Sequence, residues 1–224
     1  MISMTLLCAF ACAVLVLGEY LENDRLRYTA KPLASLAFIL VGVFALIENS
    51  SISELAIEEF EIATLIGLVL GALGDIALLS EHGFLAGLGS FLLGHLAYVV
   101  AVGTYLPPRT WLAAAGPYAA IPAVVGLAAL AYLWPKLGKL RVPVIAYVLV
   151  IIAMVISAIA LARTDVLDMD RHRRELFAAG AVLFFISDLA VARDKFVAKG
   201  FSNRVWGLPI YYAAQVLIAW SLLR

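Results

Sequence analysis

The sequence predicts an all-α membrane protein, a polytopic transmembrane bundle of about eight helices. Hydrophobic residues make up 64% of the 224-residue chain and charged residues 14%, and the mean hydropathy is +1.01. In soluble domains only about half of the residues are apolar and about a quarter are charged. The apolar runs also reach the length of about 20 helical residues that the hydrocarbon core requires. We therefore expect a single integral membrane domain over residues 1–224.

Eight apolar runs, separated by charged or Pro/Gly-rich breaks, define the predicted helices. The first run lacks the basic start of a signal peptide and seven further runs follow it, so we interpret it as a retained span. The predicted spans lie near residues 2–18, 31–48, 60–80, 84–106, 111–134, 142–161, 174–192 and 205–223.

The distribution of basic residues predicts the orientation of the chain. Loops after the first, third, fifth and seventh spans carry ten of the sixteen Lys and Arg residues. Cytoplasmic loops carry the excess of basic residues, so both termini are expected outside the cytoplasm. Zero net charge and the lack of a basic stripe argue against nucleic-acid binding. The two cysteines, Cys8 and Cys12, lie four residues apart in one span and predict no disulfide and no cysteine metal site.

An offset of about 113 residues superimposes the two halves of the chain. Asp75 then meets Asp188, and Tyr98 in the fourth span meets Tyr212 in the eighth. Halves with an even number of spans share one orientation, related by an axis along the membrane normal. Chance similarity between apolar helices is the alternative. The predicted halves are residues 1–110 and 111–224.

The two aspartates are the first candidates for function. Asp75 lies in GALGDIALL and Asp188 in LFFISDLAV, both within segments that lipid should surround. Acidic residues in such segments are costly, face a bundle interior and commonly serve a function. Their positions near the ends of the third and seventh spans place both at a similar depth below one membrane surface.

Polar and aromatic residues of the fourth and eighth spans accompany the aspartates. Phe91, His95 and Tyr98 are spaced i, i+4 and i+7 and therefore share one helix face. Tyr211, Tyr212 and Gln215 form a similar group in the eighth span. A single intramembrane histidine is more often a structural residue, whereas two intramembrane aspartates favour a functional site.

Basic residues are expected on the same side as the aspartates. Lys31 and Arg141 are predicted to begin the second and sixth spans at that surface. This arrangement suits a lipid with an anionic head group. Snorkelling of Lys31 to the interface is the alternative interpretation.

A metal-dependent hydrolase is a rival hypothesis, because zinc sites combine several His, Asp or Cys ligands around an activated water. The chain has only three histidines, His82, His95 and His172, and they lie in different places. A three-histidine site is therefore not expected. A mixed site of His95 with the two aspartates stays open, but we predict no metal and no cofactor.

Taken in order along the chain, these and neighbouring residues resemble the YhhN-like membrane protein family, which includes lysoplasmalogenases. The resemblance covers nearly the whole chain. It depends on Lys31-Pro32, Gly74-Asp75, Phe84, Gly87, Phe91, His95, Tyr98, Pro143, Tyr147, Gly180-Ala181, Phe184, Ser187-Asp188, Tyr211-Tyr212 and Ala214-Gln215.

The resemblance implies an eight-helix membrane enzyme that cleaves the vinyl ether bond of lysoplasmalogen, or of a related lysolipid. The products would be a fatty aldehyde and a glycerophospho head group. It implies a lysophospholipid substrate and membrane lipids as the partners, and the inner membrane as the location if the chain is bacterial. Oligomeric state is open. Tyr147 and Ser187 join the substrate-binding candidates on this resemblance alone.

Vinyl ether hydrolysis also suits the residues. Protonation of the carbon distal to oxygen gives an oxocarbenium ion, so the reaction needs a carboxylic acid that is protonated near neutral pH. Burial away from water favours the neutral form of a carboxyl group. By analogy with glycoside hydrolysis, one aspartate donates the proton while the other orients water, and their order is open. The catalytic candidates are Asp75, Asp188 and His95, and the substrate-binding candidates are Lys31 for the phosphate with Tyr98, Tyr147, Ser187, Tyr211, Tyr212 and Gln215.

Two other classes of function fit intramembrane carboxylates. A transporter or lipid sensor couples such groups to substrate movement. A transporter is expected to have helices that are broken in the middle at matched positions of both halves. This sequence shows no such breaks, since Pro117, Pro122 and Pro209 have no counterparts at the matching positions of the other half. A structural or assembly subunit is the third class, in which neutral aspartate variants leave the cellular phenotype intact.

Overall fold

The described part of the chain folds almost entirely into helices. The structure, a computed structural model, describes residues 1–48, 57–80, 82–166 and 169–223, and within those ranges it contains no strand. The predicted all-α fold is confirmed, and every predicted span corresponds to one helix or to two consecutive ones. The helices are α1 (Ile2–Tyr20), α2 (Asp24–Glu48), α3 (Glu59–Ala77), α4 (Phe84–Tyr105), α5 (Trp111–Ala115), α6 (Ala120–Leu133), α7 (Arg141–Arg163), α8 (Arg171–Phe196) and α9 (Phe201–Trp220).

Seven segments of the described chain are helical, long and apolar enough to cross a membrane. One of them, Pro108–Lys136, comprises α5, α6 and the short turns around them. The eighth predicted span forms α9, which is not among the seven and carries the polar residues Asn203 and Gln215. Both of these are fully buried, because α9 packs against α8, α2 and α1. The chain is thus an integral membrane protein with a partly polar helix in its interior.

The fifth predicted span, near residues 111–134, is not one continuous helix. Gly116 has φ +57°, a left-handed conformation that favours glycine, and it ends α5. Pro117 follows in a 3-10 turn before α6 begins. The backbone therefore breaks at Gly116, where the run of apolar residues alone had predicted an uninterrupted span.

The second helix begins earlier than predicted, at Asp24 rather than Lys31. The Leu26 amide donates to the Asn23 side chain, and Asp24 places a negative charge in the first turn. Pro32 lies inside the helix. The expectation that Lys31 begins this helix at the surface is therefore wrong. Lys31 lies about two turns inside α2 and is buried.

Glycines allow two helix pairs, α3 with α4 and α8 with α9, to pack closely. A Cβ atom at Gly67 of α3 would lie 2.3 Å from the Tyr98 ring of α4. A Cβ atom at Gly180 of α8 would lie 2.8 Å from the Ala214 carbonyl oxygen of α9. Each pair also contacts a further helix: α4 packs on α7, and α9 packs on α2. The duplication into halves 1–110 and 111–224 stays a prediction, with which this packing agrees.

Ion pairs close the membrane face where α1 and α8 end and α2 and α9 begin. Glu19 of α1 pairs with Arg27 of α2 at 2.9 Å and also with Arg204 of α9. Arg204 pairs further with Asp194 of α8 at 3.5 Å. Four helix ends are held together on the side toward which Asp75 and Asp188 lie.

Candidate active site

Asp75 sits in a sealed cluster between α2, α3 and α9. Its side chain is 3% exposed, and its Oδ1 lies 3.4 Å from Lys31 Nζ. Ser35 Oγ donates to Oδ2 at 2.8 Å, and Tyr212 Oη approaches the same oxygen at 3.5 Å. Asp75 and Lys31 therefore form a buried ion pair with hydroxyl donors around the carboxylate.

Ser35 is a member of this cluster that sequence reasoning missed. It follows Lys31 by four residues and therefore shares its face of α2. That spacing was the available signal. A serine in a helix usually donates to the carbonyl one turn earlier, and Ser35 Oγ also lies 3.0 Å from the Lys31 carbonyl oxygen, so its single hydrogen is shared between that oxygen and the Asp75 carboxylate.

A chain of side-chain hydrogen bonds leads from α4 to the Asp75 cluster. Tyr98 Oη donates to Gln215 Oε1 at 2.9 Å, and Gln215 Nε2 donates to Tyr211 Oη at 3.2 Å. The Tyr211 hydroxyl interacts in turn with the Asp75 carboxylate. Tyr98 and Gln215 are completely buried. They hold Tyr211 in place rather than face a groove or surface.

Asp188 occupies a second cluster, between α4, α7 and α8. Tyr147 Oη donates to Asp188 Oδ2 at 2.7 Å. His95 Nε2 lies 3.9 Å from the same oxygen, and the Asp188 side chain is 17% exposed while His95 is fully buried. Tyr147 and His95 also pack together, with ring centroids 5.1 Å apart. This carboxylate is the more accessible of the two.

His95 is unusual in its hydrogen bonding. Within the described residues, neither of its ring nitrogens has a hydrogen-bond partner. Buried polar atoms are normally satisfied, and an exception points to strain, a catalytic role or a water molecule. A polar contact longer than 3.5 Å, such as that between His95 and Asp188, is often bridged by water. The distance of 3.9 Å between His95 Nε2 and Asp188 Oδ2 is too long for a direct hydrogen bond.

A layer of aromatic rings lies between the two clusters. Phe184 lies 4.6 Å from His95 and 5.2 Å from Tyr211, between ring centroids. Phe91 contacts both Phe184 and Tyr211, at 6.0 and 5.8 Å. Tyr211 faces Asp75, so the rings separate a carboxylate with a cationic partner from one without.

The two aspartates do not share a partner among the described residues. Asp75 has Lys31 as its counter-charge, whereas Asp188 forms no ion pair with a lysine or arginine in that part of the chain. The two carboxylates differ in charge environment and in access. This asymmetry could not be predicted from two similar helix sequences.

Ser187, one of the predicted substrate-binding residues, lies apart from these contacts. Its hydroxyl donates to the Phe184 carbonyl of its own helix at 2.7 Å, and the residue is 2% exposed. A role in substrate binding stays a prediction for Ser187. The described residues contain no group of three His, Cys, Asp or Glu side chains placed to hold a metal ion, so His95 and the two aspartates do not form the mixed site considered above.

Residues 26–222 match the YhhN family. The chain is 35% identical over 162 residues to a lysoplasmalogenase from Mycobacterium tuberculosis, which covers 67% of this chain and 56% of the relative. It is 34% identical over 161 residues to lysoplasmalogenase TMEM86A from Bos taurus, covering 70% and 63%, and 32% identical over 161 residues to lysoplasmalogenase TMEM86B from Homo sapiens, covering 70% and 62%. The match thus spans less than two thirds of each relative, and no solved structure matches the chain.

Proposed function

Because this chain belongs to the YhhN family, we propose that it is a membrane hydrolase that cleaves the vinyl ether bond of lysoplasmalogen or of a related lysolipid. The similarity to relatives named lysoplasmalogenase carries this proposal. A buried carboxylate, Asp75, and a partly exposed one, Asp188, within an integral membrane protein support it, since the substrate lies in the bilayer. The products are a fatty aldehyde and a glycerophospho head group.

The proposed reaction consumes one water molecule. Proton transfer to the vinyl carbon distal to the ether oxygen forms a C–H bond and leaves an oxocarbenium ion. Water adds to the carbon that carries oxygen and loses a proton, which gives a hemiacetal. Collapse of the hemiacetal breaks the original ether C–O bond, and the hemiacetal hydroxyl loses its proton while the departing glycerol oxygen gains one, which releases the aldehyde and the glycerol hydroxyl. The enzyme must therefore supply one proton donor, a water site and stabilisation of positive charge.

We assign the proton donor to Asp188. Its side chain is 17% exposed against 3% for Asp75, so substrate can reach it. No lysine or arginine of the described chain competes for its charge, whereas Lys31 pairs with Asp75. The carboxylate left after proton transfer then lies beside the developing oxocarbenium ion and stabilises it.

His95 and Tyr147 complete the Asp188 site. We assign the binding of the attacking water and the acceptance of its proton to His95 Nε2, which has no hydrogen-bond partner in the described chain and lies 3.9 Å from Asp188 Oδ2. Tyr147 Oη, at 2.7 Å, fixes the orientation of the carboxyl group. His95 thereby receives the proton that returns to Asp188 for the next turnover.

Asp75 lies on the opposite side of the aromatic layer from Asp188. Its carboxylate interacts with Tyr211 and Tyr212, and Lys31 balances its charge. Tyr98 and Gln215 hold Tyr211 from the other side. Contact of Lys31 with the substrate phosphate stays a prediction. It requires the ammonium group to pair with two anions at once, Asp75 and the phosphate.

Aldehyde release from purified protein in detergent tests the proposal. Asp188→Asn should lower the rate by about 10²–10⁴-fold, the usual contribution of a positioned general acid, and Asp75→Asn should also lower it. Asp24→Asn, at an exposed position of α2, is the matched control and should leave the rate unchanged. Substantial activity of Asp188→Asn would remove this residue from the mechanism. Movement of intact lipid across proteoliposomes, without aldehyde, would favour a transporter.

A further inference from the structure

An apolar groove of about 550 Å³ lies between α6, α7 and α8. Its walls are aliphatic and aromatic side chains from all three helices. Its representative lining residues are Val125, Val155, Ile159, Val182, Phe185 and Leu189.

One end of the groove lies at the level of the proposed proton donor along α8, although Asp188 is not itself among the lining residues. Leu189 lines the groove and directly follows Asp188 along α8. Phe185, one turn earlier, also lines it, whereas the adjacent Phe184 faces His95 in the interior. Asp188 therefore lies at the boundary between the groove and the interior site, which agrees with its partial exposure.

Arg163 and Tyr118 line the other end of the groove. The Arg163 guanidinium lies 4.8 Å from the centre of the Tyr118 ring, and its Nε donates to the Ala114 carbonyl at 3.2 Å. Tyr147, the partner of Asp188, and Arg163 both belong to α7. They are sixteen residues apart, or about 24 Å along the helix. The groove is thus an apolar path that runs from the level of Asp188 to Arg163.

We propose that this groove holds the single hydrocarbon chain of the lysolipid substrate. The inference rests on the proposed function. The carbons of the vinyl ether are the first two of that chain, so a substrate whose reacting carbon meets Asp188 must place its remaining carbons in apolar space that starts there. The groove starts there. Since lipid tails are as apolar as the groove, it orients the chain rather than attracting it, and orientation of the reacting bond is what accelerates the reaction.

The groove should therefore limit the length of the hydrocarbon chain that the substrate can have. Val182 lies six residues before Asp188, about 9 Å along α8, and Ile159 lies twelve residues after Tyr147, about 18 Å along α7. Val182→Trp should block all but short chains, and Ile159→Trp should block only long ones. For blocked lengths we expect a loss of about 10²-fold in aldehyde release, as for a misplaced reacting bond. Leu149→Trp, on the lipid-facing side of α7 outside the groove, should retain the wild-type profile.

Two measurements test the inference, both on the 224-residue chain. The first is the rate of aldehyde release for lysoplasmalogens of increasing chain length. Chain-length limits in the order Val182→Trp, Ile159→Trp, wild type support the groove. Equal profiles in all four proteins would overturn it.

The second measurement does not depend on turnover or on the folding of a variant. A saturated alkyl ether lysolipid with a diazirine at its chain end is photolysed with wild-type protein in nanodiscs, and the labelled residues are mapped by mass spectrometry. Label near Ile159 and Tyr118 supports the groove, whereas label spread over other lipid-facing residues, such as Leu93 and Val100, refutes it. A wild-type protein that releases no aldehyde would refute the proposed function alone, and the label map would still decide the groove.

Discussion

Removal of the cationic partner of Asp75 tests the buried ion pair directly. The Lys31 and Asp75 side chains are 11% and 3% exposed, with Nζ and Oδ1 3.4 Å apart. Lys31→Met therefore leaves a carboxylate buried without a counter-charge, which costs about 3–5 kcal/mol when one partner of a buried pair is lost. Ser35 still donates to the carboxylate, which favours the lower half of that range.

The expected loss is large enough to measure by thermal unfolding. For chains of 150–250 residues, about 1 kcal/mol shifts Tm by about 2–4 °C, so Lys31→Met should lower Tm by about 6–16 °C. Tryptophan fluorescence of the detergent-solubilised protein reports the transition. Lys139→Met, at an exposed lysine, is the control and should change stability by no more than about 0.5 kcal/mol. A Lys31→Met protein as stable as the wild type would refute the reasoning.

The double variant Lys31→Met/Asp75→Asn separates charge balance from chemistry. Removing both charges leaves no uncompensated ion, and replacing a buried pair is often neutral or stabilising by about 1–4 kcal/mol. We expect the double variant to recover most of the lost stability. If Asp75 acts in the reaction, aldehyde release stays low in this stable protein. Recovery of the rate would show that Asp75→Asn acts only through the unpaired lysine.

Three further predictions follow from the contacts. Tyr147→Phe removes the hydroxyl that donates to Asp188. It should lower the turnover rate about tenfold with little change in KM, because such a bond contributes about 1.5 kcal/mol. A changed KM with an unchanged rate would contradict this role. Gly71→Ala places a Cβ atom 2.2 Å from Gln215 Nε2 and should cost about 1–3 kcal/mol of stability, while Gly89→Ala, with no atom within 4 Å, should not destabilise the protein. The proposed mechanism uses only protein side chains and water, so chelator treatment should leave aldehyde release unchanged. A loss restored by one added metal would show that a metal takes part.

Helix positions were largely predictable because the signal is local. A run of apolar residues between charged breaks predicts a span wherever it occurs. The errors arose where the apolar run and the helix do not coincide. Lys31 was predicted to begin a helix that in fact begins at Asp24, and Gly116 ends a helix within a continuous apolar run.

The candidate site was predictable as a set of residues but not as an arrangement. The cost of an acidic group in lipid marked Asp75 and Asp188, and helical spacing marked His95 and Tyr98. Nothing in the two similar segments shows that Lys31 pairs with Asp75 and leaves Asp188 without a cationic partner. That difference depends on Lys31 lying inside α2, whereas the sequence predicted that Lys31 begins this helix.

The sequence by itself determined that the chain is a helical membrane protein with two acidic residues and a histidine inside it, because composition and helical periodicity depend only on neighbours along the chain. Tertiary structure alone decided which carboxylate is sealed and which is accessible. The contacts that decide it join residues 40 or more positions apart: Ser35 to Asp75 and Tyr147 to Asp188. Such contacts follow from which helix faces pack together, and this depends on close approach at glycines across the whole bundle rather than on any one segment.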